Sequence, residues 1–143
     1  MDTKENELAN GINGFDTEEI VNLYKFLCAY AKIEKFKNDE SFKKNYPTFA
    51  QALFSMLDQL PLKPENCISI IEGDSKIKYT SAHRTKNMAF LYHFRNAIAH
   101  GMIRKNVMVE IKDFDRSTLT AYGLIDYNKT NDIITLVIIE LLK

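Results

Sequence analysis

SAHRTKNMAFLYHFRNAIAHGMI, residues 81–103, is the stretch on which the reading of the chain turns. Its apolar residues Met88, Leu91, Phe94, Ile98, Ala99 and Met102 gather on one half of a helical wheel, the pattern of a helix laid on a core. On the other half, Lys86, His93, Asn96, His100 and Arg104 fall within an arc of about 80° at about 100° per residue. The spacing predicts a helix over 81–103 with a buried side and one polar stripe along its length. Arg95 falls in the apolar half. A guanidinium there has to pair, snorkel along its stem or emerge where a second surface meets the helix, because an unpaired buried cation is prohibitively costly. Ala89, Ala97, Ala99 and Gly101 flank the polar cluster and would let another helix, or a second copy of this one, approach closely.

Upstream, Phe15-Asp16-Thr17-Glu18-Glu19-Ile20 predicts a helix start, with Asp16 as cap, Glu19 reaching back to it and Phe15 stapling onto Ile20. That helix is expected to run to about Phe36. A second is expected over Pro47–Gln59, closed by Leu60-Pro61. In residues 61–80, Pro64-Glu65-Asn66 suggests a short helix through Ile71 before Gly73-Asp74 turns the chain. Downstream, Val107, Val109 and Ile111 alternate with Met108, Glu110 and Lys112, and Leu119 to Ile125 alternate likewise, which predicts a two-stranded hairpin turning at Asp115–Thr118. The β-branched residues of Asn131–Lys143 allow a strand; its length and charged end favour a final buried helix. No repeat or linker divides the chain, so residues 1–143 are expected to form one domain, with residues 1–14 as a flexible lead-in.

With 143 residues, 45% of them hydrophobic, the chain can bury a core without staples. Met1–Asn6 lacks the apolar region of a secretory signal, and Ile133–Leu142 is far shorter than the roughly 20 residues of a membrane span. A cytoplasmic protein with no membrane partner is expected. Cys28 and Cys67 stand apart without metal-ligand spacing and are expected to be small apolar fillers. The formal net charge is zero, but from Ser75 through Val109 there is no Asp or Glu, while Lys76, Lys78, Arg84, Lys86, Arg95, Arg104 and Lys105 contribute seven positive charges. All three histidines, His83, His93 and His100, lie in the same window. Such segregation suits a polyanion; the competing explanation is a chance cluster of solvated cations around a core helix.

Histidine is a general acid or base near neutral pH, arginine grips a phosphate through two parallel hydrogen bonds, and asparagine can orient either. With the RNA 2′-hydroxyl as nucleophile, phosphodiester cleavage needs little more. HExxH, GxSxG, paired carboxylates near the cluster and a phosphate-binding glycine loop are all missing, so neither a metal nor a cofactor is expected. Structural alternatives stand beside these roles. His100 can instead satisfy the last carbonyls of its helix, with Gly101 beginning a break. Arg95 can form a salt bridge to an acid on another helix, and His93 reads first as a structural histidine.

Arg95-Asn96-Ala97-Ile98-Ala99-His100, an arginine, a polar residue and a histidine after four intervening positions, resembles the signature of the HEPN superfamily (higher eukaryote and prokaryote nucleotide-binding domains). The wider string LYHFRNAIAHG looks like the HEPN active-site helix, and the layout resembles bacterial families that carry a β-hairpin before the last helix. What the resemblance implies is a mostly α fold, a HEPN-like bundle of four to five helices with one inserted hairpin. It also implies a metal-independent endoribonuclease in a defence or toxin-like role, acting on RNA, single-stranded by expectation, as a homodimer with a composite cleft. Carried over by position, Arg95 binds the scissile phosphate, His100 transfers protons and Asn96 orients one of the two. His93, Tyr92, Arg84, Lys86, Arg104 and Lys105 are the candidate substrate-binding residues. The alternative within the family is a non-catalytic module that binds RNA, nucleotide or a partner such as an antitoxin or nucleotidyltransferase.

Overall fold

The computed structural model describes residues 12–143. Most of the expected flexible lead-in lies outside the described residues; within them, Ile12 and Phe15 exchange both backbone hydrogen bonds at 2.9 Å, which closes a tight turn ahead of the first helix. Helix α1, Thr17–Tyr30, starts as expected: Asp16 accepts from the Glu19 N–H at 2.8 Å, and the Glu19 carboxylate accepts from the Asp16 N–H at 3.0 Å. It stops at Tyr30, short of Phe36, and the chain turns through residues 31–35 into α2, Asp39–Asn45, and α3, Pro47–Asp58. The aromatic rings of Phe36, Phe42, Tyr46, Phe49 and Phe54 pack among one another at this corner.

No helix forms over 64–71. Leu62–Pro64 is instead a strand, β1, parallel to β2, Ile77–Tyr79, with Leu62 opposite Ile77. Helix α4, Lys86–Ala99, is followed by β3, Ile103–Lys105, and by the hairpin of β4, Val109–Asp115, and β5, Thr118–Ile125. The final helix, α5, covers Tyr127–Leu141, capped by Asp126, whose carboxylate accepts from the Lys129 N–H. The sheet runs β1-β2-β5-β4-β3, with every pairing antiparallel except β1 with β2. This is an α/β fold of five helices and a five-stranded mixed sheet among the described residues, which corrects the expectation of a mostly α bundle carrying one hairpin. The hairpin is present, but it forms the middle of a sheet that three short strands complete.

One sheet face packs on the helices. Val109, Ile111 and Asp113 point inward from β4, while Glu110 and Lys112 alternate on the opposite, half-buried face. Helix α4 lies against β4 and β2 on this inner face, backed by α1, and α5 closes the layer over α1 and α3. The core runs through Phe26, Leu53, Leu57, Ile77, Met88, Phe90, Leu91, Phe94, Ile111 and Val137, all at most 1% exposed. No helix among the described residues is long and apolar enough to cross a membrane. Cys28 and Cys67 are exposed, so neither fills the core.

Candidate functional site

The middle of the polar stripe, His93 and Asn96, faces inward onto the sheet, while Lys86 and His100 are exposed and Arg104 lies beyond the helix in β3. His93 is 2% exposed, with Nδ1 2.8 Å from Asp113 Oδ2 and Nε2 2.9 Å from the Thr80 carbonyl oxygen. Thr80 Oγ1 lies 3.2 Å from the same Nε2. Asn96, 8% exposed, donates from Nδ2 to Asp113 Oδ2 at 3.1 Å and accepts on Oδ1 from Arg95 Nη1 at 3.1 Å. Asp113 is thus the point at which the helix and the hairpin meet. It is 3% exposed, and its Oδ1 is buried with no hydrogen-bond partner among the described residues. The alternation that sets Val109 and Ile111 inward carries on to Asp113, so its inward phase is a signal present in the sequence, although the partners it meets there are not.

Local backbone features aim this arrangement. Between Asp113 and Phe114 the register of the hairpin shifts: Asp113 pairs with Ala121 but Phe114 pairs with Leu119, so Thr120 is the extra residue of a bulge. Thr120 Oγ1 donates to the Asp113 carbonyl at 3.1 Å, and its own carbonyl accepts from Thr80 N–H at 3.0 Å. The helix ends where Gly101 takes a left-handed φ of +69°, with Met102 N–H bonded to the Ala97 carbonyl at 2.7 Å. His100 is therefore the C-terminal cap, exposed, held by its backbone N–H on the Asn96 carbonyl at 2.9 Å.

The expected start at Ser81 fails for a physical reason. Ala82 and His83 both adopt left-handed backbone, φ +47° and +59°, which costs about 1 kcal/mol each for a residue with a Cβ. The turn is held by Arg84, whose N–H donates to Ser81 O and whose Nη1 donates to Ala82 O, both at 2.8 Å. Its guanidinium lies 3.8 Å from the centre of the Tyr92 ring, and its Nε is buried without a partner among the described residues.

A cavity of about 520 Å³ opens between this turn, α4 and the bulge. His83, Arg84, Tyr92, His93, Asn96, His100 and Asp113 line it. Arg95 lines an adjoining cavity of about 330 Å³ with Tyr30, Glu34, Lys35, Arg84, Tyr92 and Asn96. Its predicament is resolved by emerging, half-buried, at that second surface. Burial pushes the Tyr30 hydroxyl up to about 12, against the lowering effect of Arg84 and Arg95. A larger, mainly apolar groove of about 730 Å³ lies elsewhere, along β2, β5 and the start of α5, and none of the expected site residues line it.

The other expected contacts disperse. Lys105 forms an ion pair with Glu19 at 2.9 Å and sits 4.4 Å from the Tyr127 ring centre, so its charge is committed within the chain. Arg104 lines a small separate cavity with Glu110, its partner across the ladder. Lys86 is exposed on the first turn of α4 and lines neither site cavity, and Lys78 is buried against Asp74 at 2.7 Å. Among the described residues, no group of three His, Cys, Asp or Glu side chains is placed to hold a metal ion. Comparison with protein-family models, with curated proteins and with solved structures finds no match to the chain.

Proposed function

We propose that the protein is a metal-independent endoribonuclease, with His100 as the proton-transfer group and Arg95 as the phosphate ligand. The observation that carries this reading is the convergence of an exposed imidazole at His100 with Asn96, Tyr92 and Arg84 on one cavity, next to the half-buried guanidinium of Arg95. The resemblance to the HEPN signature supports it at the level of these residues, since the helical bundle that the resemblance implied is not the fold. In the reaction, the 2′-oxygen of a ribose attacks the adjacent phosphorus and loses its proton to an imidazole. The bond from phosphorus to the 5′-oxygen breaks, and that oxygen takes a proton, leaving a 2′,3′-cyclic phosphate and a 5′-hydroxyl. Attack in line puts the entering and leaving oxygens on opposite sides of phosphorus, so one His100 per chain favours two copies at the working cleft. A defence or toxin-like setting, with an antitoxin or nucleotidyltransferase as controlling partner, belongs to the same proposal.

The test is cleavage of single-stranded RNA by the purified protein in EDTA. Cyclic-phosphate ends are expected, together with a fall of roughly 100-fold or more in rate for His100→Ala at unchanged thermal stability. Cleavage by that variant at the wild-type rate would overturn the assignment. A second reading, RNA or nucleotide binding without cleavage, is favoured by one feature: Arg95 and His100 line adjoining cavities with Asn96 between them. It is expected to show as salt-sensitive binding, weakened by Arg95→Ala, with intact RNA.

A further inference from the structure

We infer that Asp113 is a positioning residue of this site, acting on Arg95 through Asn96 by fixing which end of the Asn96 amide meets the guanidinium. The inference rests on the ribonuclease reading for its consequence and on the hydrogen-bond geometry for its substance. An asparagine amide has a donor end and an acceptor end, and the two exchange places when the side chain flips by half a turn. An ionised carboxylate only accepts, and a guanidinium only donates. With Asp113 Oδ2 3.1 Å from one end of Asn96 and Arg95 Nη1 3.1 Å from the other, a single orientation satisfies both. The flipped amide sets oxygen against carboxylate and NH₂ against guanidinium, two repulsive contacts at a side chain that is 8% exposed.

The carboxylate is itself held. His93 Nδ1 adds a second contact to Oδ2 at 2.8 Å, and its other nitrogen is anchored on Thr80. Thr120, the extra residue of the bulge, fixes the Asp113 carbonyl. The result is a continuous line from the sheet through Asp113 and Asn96 to Arg95. A carboxylate whose only work is to tie α4 to β4 would be expected to use both oxygens. Here both side-chain contacts fall on Oδ2, and Oδ1 is buried with no partner among the described residues.

The experiment combines Asp113→Asn, Asn96→Ala and the double variant, with kcat and KM for RNA cleavage and hydrogen exchange at the Asn96 side-chain amide by NMR. Asp113→Asn keeps the shape but presents an amide that accepts either end of Asn96. Its kcat is expected to fall by roughly tenfold to a hundredfold, with KM within about threefold of wild type. The double variant is expected to be no slower than Asn96→Ala alone, because Asp113 acts through that side chain. Multiplying losses in the double variant, or a wild-type kcat in Asp113→Asn, would overturn the inference. The amide measurement needs no turnover: slow exchange in the wild type and at least about tenfold faster exchange in Asp113→Asn are expected, and equal exchange in the two counts against it. If the wild type does not cleave RNA, the ribonuclease reading falls while the amide result still decides the assignment of Asp113. His93→Gln, which removes one contact to Oδ2 and leaves Asp113 in place, covers the case in which Asp113→Asn does not fold. A several-fold faster amide exchange is expected from it, and unchanged exchange would count against the inference.

Discussion

Glu19 shows how much one side chain can hold. Its carboxylate accepts from the Asp16 N–H, from Lys105 Nζ and, in a short contact, from the Tyr127 hydroxyl, so it joins α1 to β3 and α5. Burial alone would raise its pKa, but these donors together bring it from 4.5 down to about 2. A carboxylate with a depressed folded-state pKa contributes stability that is present above its unfolded value and lost as pH falls through the folded one. Glu19→Gln is therefore expected to cost about 2 kcal/mol at pH 7. By urea denaturation, the gap between wild type and variant should narrow from pH 4.5 towards pH 2; a constant gap would show that charge is not what matters. Half of this arrangement was legible in the sequence. The Asp16–Glu19 box is local and was expected, whereas Lys105 and Tyr127 lie 86 and 108 positions away and no spacing rule reaches them. The same limit hid the link from Asp113 to Asn96, 17 positions apart and on different elements.

Among the elements, those with many turns or a clear alternation were readable, and those of three residues were not. The body of α4 and the hairpin follow from periodicity, the start of α1 from its capping box, and the last helix from its length and charged end. Strands β1, β2 and β3 are too short to establish a period of two, and Lys78 in β2 reads as polar because its burial depends on Asp74. Helix α4 was drawn five residues too long at its start because Ala82 and His83 carry no warning of left-handed backbone. That strain gives a direct prediction. Ala82→Gly removes the Cβ conflict, and despite the added freedom of the unfolded chain it is expected to stabilise the protein by about 0.5–1 kcal/mol, read as a higher urea midpoint. A loss of stability would mean that the Ala82 side chain makes packing contacts worth more than the strain.

At the scale of the molecule, the acid-free window does not become one basic face. Lys78 and Lys105 are neutralised by Asp74 and Glu19, Arg104 stands apart from the site, and Lys76 and Lys86 line neither cavity, so of the seven only Arg84 and Arg95 remain at the two adjoining cavities, where Lys35 from outside the window joins them. Measured as log K against log salt, RNA binding is expected to have a slope of about −2, near −0.7 for each phosphate contact, whereas all seven cations of the window acting together would give about −5. The whole-chain charge pattern was legible in the sequence; its dispersal was not, because Glu19 lies far outside the window and Asp74 and Glu110 stand at its two edges, where only the folded chain shows which cation each one meets. The join between α4 and the hairpin also sets an order along the chain. His93 and Asn96 precede Asp113 in the chain by 20 and 17 positions, and the hairpin that carries Asp113 closes only when β5 has followed β4. A chain that stopped short of residue 113 would keep Arg95 and His100 but lose the carboxylate that holds Asn96, so the helix that carries them would be without its tie to the sheet.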